Sequence, residues 1–111
     1  DKKEKQRWGE MMDGYFNRSD ALRLTLHLVD IRHDPTSDDV NMVNFLRQKA
    51  LPFQVVLTKA DKISRGSRMK YIQPICMKLQ VQPWQIICTS SETGEGMPQV
   101  LGAISGALGE A

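Results

Sequence analysis

The sequence predicts an α/β fold, a parallel three-layer α/β sandwich, from two observations. Three short apolar stretches are typical of buried strands, and an amphipathic stretch of helical length follows each of them. Short connections between such elements favour right-handed crossovers, which place the strands parallel in one sheet. Because the strands are nearly continuous in apolar residues, we expect helices on both faces of the sheet. The prediction is one domain over residues 1–111, with three parallel strands and about four helices.

The first two elements are an amphipathic helix and an apolar strand. Apolar side chains recur at helical spacing in the polar stretch 2–16, which predicts a helix. Residues 22–29 are rich in leucine, with Thr25 and His27 interleaved, and this pattern predicts a strand that ends at Asp30.

The second helix and the second strand follow a recognisable cap. Thr36 and, three residues later, Asp39 resemble a capping box, although the usual partner is Glu or Gln. We therefore expect a helix that begins there and runs towards Gln48. Pro52 precedes the second strand, which is predicted over 53–57.

The last part of the chain contributes a helix, a strand and a final helix. A helix is expected to open at Ser64, and Pro74 should kink it or move its start to a later residue. The third strand is predicted over 84–88 and the last helix over 97–108. The residues of that helix expected to face the interior are Val100, Leu101, Ile104 and Leu108.

The composition limits the class of protein. The chain is 41% hydrophobic and 25% charged, which is ordinary for a soluble globular domain, and its net charge of +2 does not by itself indicate nucleic acid. Cys76 and Cys88 lack metal-ligand spacing and are interpreted as reduced thiols of a cytosolic protein. No stretch approaches the ~20 apolar residues of a membrane span. We therefore expect a cytoplasmic protein with no membrane partner and no metal-ligand residues of its own.

Polar residues follow the second and third strands at their carboxyl ends, where parallel sheets bind ligands. The candidate site residues are Thr58, Lys59, Ala60, Asp61, Thr89, Ser90 and Ser91. The carboxylate of Asp61 can accept hydrogen bonds from the N1–H and the exocyclic amine of guanine. The aliphatic stem of Lys59 can lie along the ring, and the backbone N–H groups of Thr89, Ser90 and Ser91 can meet the guanine carbonyl oxygen.

Each segment also has a simpler explanation. Lys59 can be a solvated charge at a strand end, and Asp61 can cap the next helix. The serines can bond their own backbone in an ordinary loop. Both segments follow consecutive strands in the right order, which favours a guanine site. Adenine would place a lone pair against Asp61, and an unpaired, partly buried carboxylate costs about 1–3 kcal/mol.

Three segments together resemble a known family. Residues 28–36, followed by Asp39, resemble its signature after the fourth strand of the GTPase sheet. Residues 56–62 match its guanine-specificity motif in the Thr-Lys-Ala-Asp form, and 89–96 are similar to the fifth GTPase motif and the loop after it. Over nearly its whole length the chain thus resembles the EngB (YihA/YsxC) GTPases of bacteria.

The resemblance implies a P-loop protein that binds GTP or GDP and hydrolyses GTP with Mg²⁺. It further implies assistance in assembly of the large ribosomal subunit, with ribosomal RNA as a possible contact, and a link to cell division and septation. The sequence departs from the family pattern because it contains no phosphate-binding loop, switch threonine or Asp-x-x-Gly motif. We therefore expect residues 1–111 to be the carboxyl-terminal half of an EngB-type domain, with no catalytic residues and inactive alone.

Two expectations concern surfaces. In a full GTPase sheet the strand 22–29 has a partner on its outer side, and without that partner its apolar edge should promote self-association. Positive charges also gather beside the candidate site, which leaves RNA contact open. They are Lys59, Lys62, Arg65, Arg68 and Lys70. The alternative function is a non-catalytic α/β module that binds ribosome or RNA and carries a vestigial nucleotide site.

Overall fold

A computed structural model describes residues 2–3, 6–7, 9–10 and 23–109. In this part of the chain three parallel strands form one sheet in the order β1-β2-β3. The strands are β1 Thr25–Asp30, β2 Phe53–Thr58 and β3 Ile86–Cys88. The helices that follow them are α1 Ser37–Gln48, α2 Arg68–Leu79 and α3 Met97–Ala107. The predicted parallel α/β architecture is confirmed. The described residues among 2–10 are helical, and the rest of the predicted leading helix lies outside the described residues.

Two strands begin later than the sequence predicts. Arg23 and Leu24 precede β1 without strand structure, and Leu22 lies outside the described residues. Before β3, Pro83–Gln85 form a 3₁₀ turn instead of strand. The side chain of Gln85 accepts a hydrogen bond from the backbone N–H of Gln82 at 2.8 Å, which stabilises the turn and delays the strand to Ile86.

The predicted cap of α1 is confirmed. The Thr36 hydroxyl accepts a hydrogen bond from the backbone N–H of Asp39 at 3.2 Å. One carboxylate oxygen of Asp39 accepts the backbone N–H of Thr36 at 2.8 Å, so the shorter acid completes the box. Its other oxygen lies 2.8 Å from Nε2 of His27. Asp39 therefore caps α1 and also ties that helix to β1.

The start of α2 differs from the prediction. The 3₁₀ turn Arg65–Ser67 follows Ser64, and the α-helix begins only at Arg68. Pro74 does not set this boundary, because the helix runs through it to Leu79. The carbonyl of Lys70 consequently has no helical N–H donor, since proline lacks that group.

One core joins the sheet to α1 and α2. In the register of the strands, Val29 of β1 pairs with Leu57 of β2, which pairs with Cys88 of β3, so these side chains share a face. The buried residues of this core are Val29, Ile31, Val43, Val55, Leu57, Ala60, Ile72, Ile75, Cys76, Leu79 and Val81. The carboxyl ends of the three strands emerge above it at one edge.

Helix α3 packs less deeply than the sequence predicts. Val100 and Ile104 are half-buried, as expected, but Leu101 and Leu108 are exposed, so that part of the prediction is wrong. The half-buried stripe instead continues through the small residues Ala103 and Ala107, which allow close approach of the helix. No helix among the described residues is long and apolar enough to cross a membrane.

Candidate functional site

Hydrogen bonds join the two predicted site segments at the carboxyl edge of the sheet. The backbone N–H and the hydroxyl of Thr89 both donate to the carbonyl of Leu57, at 2.7 and 3.0 Å. The carbonyl of Thr89 then accepts the backbone N–H of Ala60 at 2.9 Å. On the other side, Thr58 accepts the N–H of Ile31 at 3.0 Å. All the predicted site residues therefore lie near one edge, on a framework set by the strands.

The turn after β2 depends on an unusual backbone conformation at Lys59. Its φ of 60° and ψ of 36° are left-handed, a region that few residues other than glycine adopt. The turn is closed by two backbone hydrogen bonds, from Lys62 to Lys59 at 3.0 Å and from Ile63 to Ala60 at 3.2 Å. Ala60 is fully buried, whereas the Lys59 side chain is more than half exposed. The turn thus anchors its alanine in the core and leaves the lysine stem accessible.

Ser90 holds the carboxylate of Asp61. The Ser90 hydroxyl donates to Oδ1 of Asp61 at 2.8 Å, and Ser90 is completely buried. The same hydroxyl oxygen accepts the backbone N–H groups of Glu92 and Thr93, each at 3.2 Å. The side chain of Asp61 therefore bonds the loop after β3, rather than the N–H groups of a following helix as the capping explanation would require. The carboxylate remains partly exposed at the edge of the sheet.

The end of β1 adds a third charged group. Asp30 accepts three hydrogen bonds from Arg32, from its backbone N–H at 2.9 Å, from Nε at 3.1 Å and from a terminal nitrogen at 2.9 Å. The Arg32 guanidinium holds the pKa of Asp30 well below its usual range. Nζ of Lys59 lies 3.9 Å from Asp30. An ionised Asp30 consequently sits close to the lysine head group.

Sequence reasoning missed the role of Arg68. The sequence groups it with the positive charges beside the candidate site, but its side chain is only 13% exposed and pairs with both carboxylate oxygens of Glu95. It also donates to the carbonyl of Ala60 at 3.2 Å. No spacing signal could have identified this pair, because its members are 27 residues apart.

The described residues contain no group of three or more His, Cys, Asp or Glu side chains arranged to hold a metal ion. Cys76 and Cys88 are free thiols, buried and half-buried respectively. Burial raises the pKa of both thiols, so neither has the character of an activated nucleophile.

Comparisons with known proteins connect this geometry to one group of relatives. The chain is 46% identical over 101 residues to a probable GTP-binding protein EngB of Desulfitobacterium hafniense, covering 90% of this chain and 50% of that protein. It is 45% identical over 104 residues to a protein of the same name from Exiguobacterium, covering 93% and 53%. The chain thus spans about half the length of the curated relatives it matches. No protein-family model matches it.

Two solved structures share the fold. A crystal structure of a probable GTP-binding protein EngB superposes with a TM-score of 0.70 at 18% identity, covering 92% of this chain and 65% of the other. GDP-bound aIF5B from Aeropyrum pernix gives a TM-score of 0.62 at 18% identity, covering 76% and 20%. At 18% identity, these two similarities show that the fold is shared and nothing more.

Proposed function

On the premise that this chain matches the carboxyl-terminal half of the EngB family, we propose that it is the guanine-base-binding half of a GTP-binding protein. The observation that supports this most directly is the hydrogen bond from the buried Ser90 to Asp61. It joins the segment after β2 to the segment after β3, and it orients a carboxylate at the edge where parallel sheets bind ligands.

Each residue of the proposed site has a distinct part. Asp61 accepts two hydrogen bonds from guanine, from its N1–H and from its exocyclic amine. One is accepted by Oδ2, and the other by the lone pair of Oδ1 that Ser90 does not use. The stem of Lys59 covers one face of the ring, and the backbone N–H of Ser91 donates to the guanine carbonyl oxygen. The remaining residues, Thr58, Ala60, Thr89 and Ser90, hold these groups in place through the hydrogen bonds and burial described above.

Base selectivity in this site comes from hydrogen-bond complementarity. Adenine has an acceptor at N1 where guanine has a donor, so adenine would set a lone pair against Asp61. Because Asp61 is largely buried, an unpaired carboxylate there costs about 1–3 kcal/mol or more. This corresponds to a preference for guanine of roughly fivefold to 150-fold.

The wider function rests on the family resemblance. We propose that the complete protein hydrolyses GTP with Mg²⁺ in the cytoplasm, assists assembly of the large ribosomal subunit, and thereby affects cell division and septation. Residues 1–111 would contribute base recognition to an EngB-type domain. The phosphate-binding loop, the switches and the magnesium ligands are not encoded in this sequence, so this chain alone is expected not to hydrolyse GTP.

The test is the substitution Asp61→Asn in the complete protein, with fluorescent GDP as the probe. The amide cannot accept two hydrogen bonds from guanine, but its NH₂ group can donate to the extra carbonyl of xanthine. We expect GDP affinity to fall by at least about tenfold and XDP affinity to rise. The control is Asp38→Asn in the exposed first turn of α1, which should leave both affinities unchanged.

Competition with ATP decides between the two functions. Preference for GDP over ATP, lost in the Asp61→Asn protein, supports the guanine site. Equal binding of GDP and ATP by the complete protein, or a GDP affinity indifferent to Asp61→Asn, would overturn it. The non-catalytic ribosome- or RNA-binding module would then be the better account.

A further inference from the structure

The ion pair between Arg68 and Glu95 contacts both segments of the proposed base site, through the carbonyl of Ala60 and the backbone N–H of Ser90. We propose that this pair is a positioning clamp that sets the distance between the two base-reading segments and thereby tunes affinity for guanine. The inference rests on the proposed function, because it concerns the residues that hold Asp61 in place. Neither residue is among the candidate site residues predicted from the sequence, although Glu95 lies in the loop that follows Ser91.

The contacts of Arg68 reach both segments at once. Its guanidinium pairs with both oxygens of Glu95, one of them at 2.7 Å, in the loop after β3. A terminal nitrogen also donates to the carbonyl of Ala60, in the turn after β2. A planar guanidinium suits this task because its N–H groups point in fixed directions and can serve two acceptors. Arg68 is thus a rigid bridge at the first residue of α2.

Glu95 completes a closed ring of contacts around the site. Its carbonyl accepts the backbone N–H of Ser90 at 3.1 Å, and the Ser90 hydroxyl in turn holds Asp61 at 2.8 Å. From Asp61 the chain leads back through Ala60 to Arg68. Each member of the ring therefore limits the movement of the next. If the Arg68 pair is lost, the described residues keep two side-chain hydrogen bonds between these parts of the chain, from Thr89 to the carbonyl of Leu57 and from Ser90 to Asp61. Of these two, the bond from Ser90 is the one that reaches the carboxylate.

Burial separates this pair from ordinary surface ion pairs. The side chains of Arg68 and Glu95 are 13% and 24% exposed, whereas that of Arg65, 3.9 Å from Glu95, is 81% exposed. Exposed pairs contribute little because water screens them and their side chains stay mobile. The hydrogen bonds from Arg68 hold the pKa of Glu95 below its usual value, so the carboxylate is charged at neutral pH. Arg65 therefore places a positive charge near Glu95 but does not fix the position of its carboxylate.

Loss of the clamp should affect ligands unequally. GDP presents both an N1–H and an exocyclic amine to Asp61, whereas IDP lacks the amine and makes one hydrogen bond fewer. Two parallel hydrogen bonds require a more exact position of the carboxylate than one does, so a displaced Asp61 weakens GDP binding more than IDP binding. The clamp therefore predicts that the ratio of GDP affinity to IDP affinity falls when Arg68 is replaced, which general destabilisation of the fold would not cause.

The experiment compares Arg68→Gln with Arg65→Gln in the complete protein, using GDP and IDP as probes. Both changes remove one positive charge beside the same carboxylate, so general attraction to the phosphates is matched. For Arg68→Gln we expect GDP affinity to fall about tenfold and IDP affinity about twofold. For Arg65→Gln both affinities should stay within about twofold of the original protein.

A second variant protects the test against failure of Arg68→Gln to fold. Glu95→Gln keeps the shape of the side chain and one acceptor oxygen, and it should lower the GDP to IDP ratio about threefold. The proposal of a clamp is overturned if the ratio of GDP affinity to IDP affinity is the same in Arg68→Gln and Glu95→Gln as in Arg65→Gln. If Asp61→Asn still shifts preference to XDP, the base site stands and only the clamp fails. If it does not, the proposed function fails and the clamp with it.

Discussion

At the scale of single residues, the buried hydroxyl of Ser90 connects Asp61 to the loop after β3 through three hydrogen bonds. It donates to Asp61 and accepts two backbone N–H groups from the loop after β3. A buried polar group with all its partners satisfied stabilises the fold modestly, but its removal leaves every partner unsatisfied. The cost of losing Ser90 should therefore exceed the worth of any one of its hydrogen bonds.

Substitution Ser90→Ala tests this. We expect the free energy of unfolding to fall by about 1–3 kcal/mol, because Asp61 and the N–H groups of Glu92 and Thr93 lose their partner. Denaturant unfolding of the chain measures the change. Ser64→Ala is the control, since Ser64 is exposed and makes no capping hydrogen bond, and it should change stability by less than about 0.5 kcal/mol. Equal effects of the two substitutions would contradict this account of Ser90.

Residue patterns predicted that the candidate site residues lie at the carboxyl edge of the sheet, but not which contacts hold them there. Lys59 and Asp61 could be placed because the end of an apolar strand and the spacing of charged residues are local properties of the sequence. The role of Arg68 could not be predicted in this way, because its partner Glu95 is 27 residues away in the loop after β3. In the sequence it was one of several basic residues near the site, and only packing distinguishes it from the exposed Arg65.

At the scale of elements, the sequence predicted the order and type of strands and helices but not all their boundaries. The capping box at Thr36 was recognisable because its hydrogen bonds span three residues. The starts of α2 and β3 were not, because each follows a 3₁₀ turn whose residues are also compatible with the longer element. The exposure of Leu101 shows the same limit, since helical spacing alone does not say which side packs.

The entry to α3 depends on a glycine that approaches the backbone of β3. Gly96 has a φ of +78°, and a Cβ built on it would lie 2.1 Å from the carbonyl oxygen of Cys88 and 2.9 Å from a methyl group of Thr89. The first of these is backbone, which cannot move without disturbing the sheet. Gly94 has a similar φ of +82°, but nothing lies within 4 Å of a Cβ there. A side chain at Gly96 would therefore cause both steric overlap and backbone strain, whereas one at Gly94 would cause backbone strain alone.

We expect Gly96→Ala to lower the free energy of unfolding by about 3 kcal/mol or more, from overpacking added to left-handed strain. Gly94→Ala should lower it by only about 1–2 kcal/mol, the cost of the left-handed conformation by itself. Thermal and denaturant unfolding of the two variants measure the difference. A cost for Gly96→Ala no greater than that for Gly94→Ala would show that the loop moves away from β3 freely.

At the scale of the whole molecule, the described sheet has an open edge. Within the described residues β1 pairs only with β2. The backbone N–H of Thr25 donates to Pro52, and that of Ile31 donates to Thr58, so by alternation the N–H groups of Leu26 and Leu28 point away from β2. The side chain of Leu28 is also 60% exposed. Unpaired backbone groups beside an exposed leucine form a surface suited to strand addition.

We therefore expect this chain to self-associate through β1. Sedimentation velocity over a concentration series should show oligomers that grow with concentration, and Leu28→Lys should shift the chain towards monomer because a charged lysine disfavours strand pairing at an edge. Met77→Lys is the matched control, since Met77 is 79% exposed on α2, away from the strand edge, and gains the same charge. It should leave the association unchanged. A folded, monodisperse monomer at every concentration, or equal effects of the two lysines, would show that the edge of β1 is not the contact.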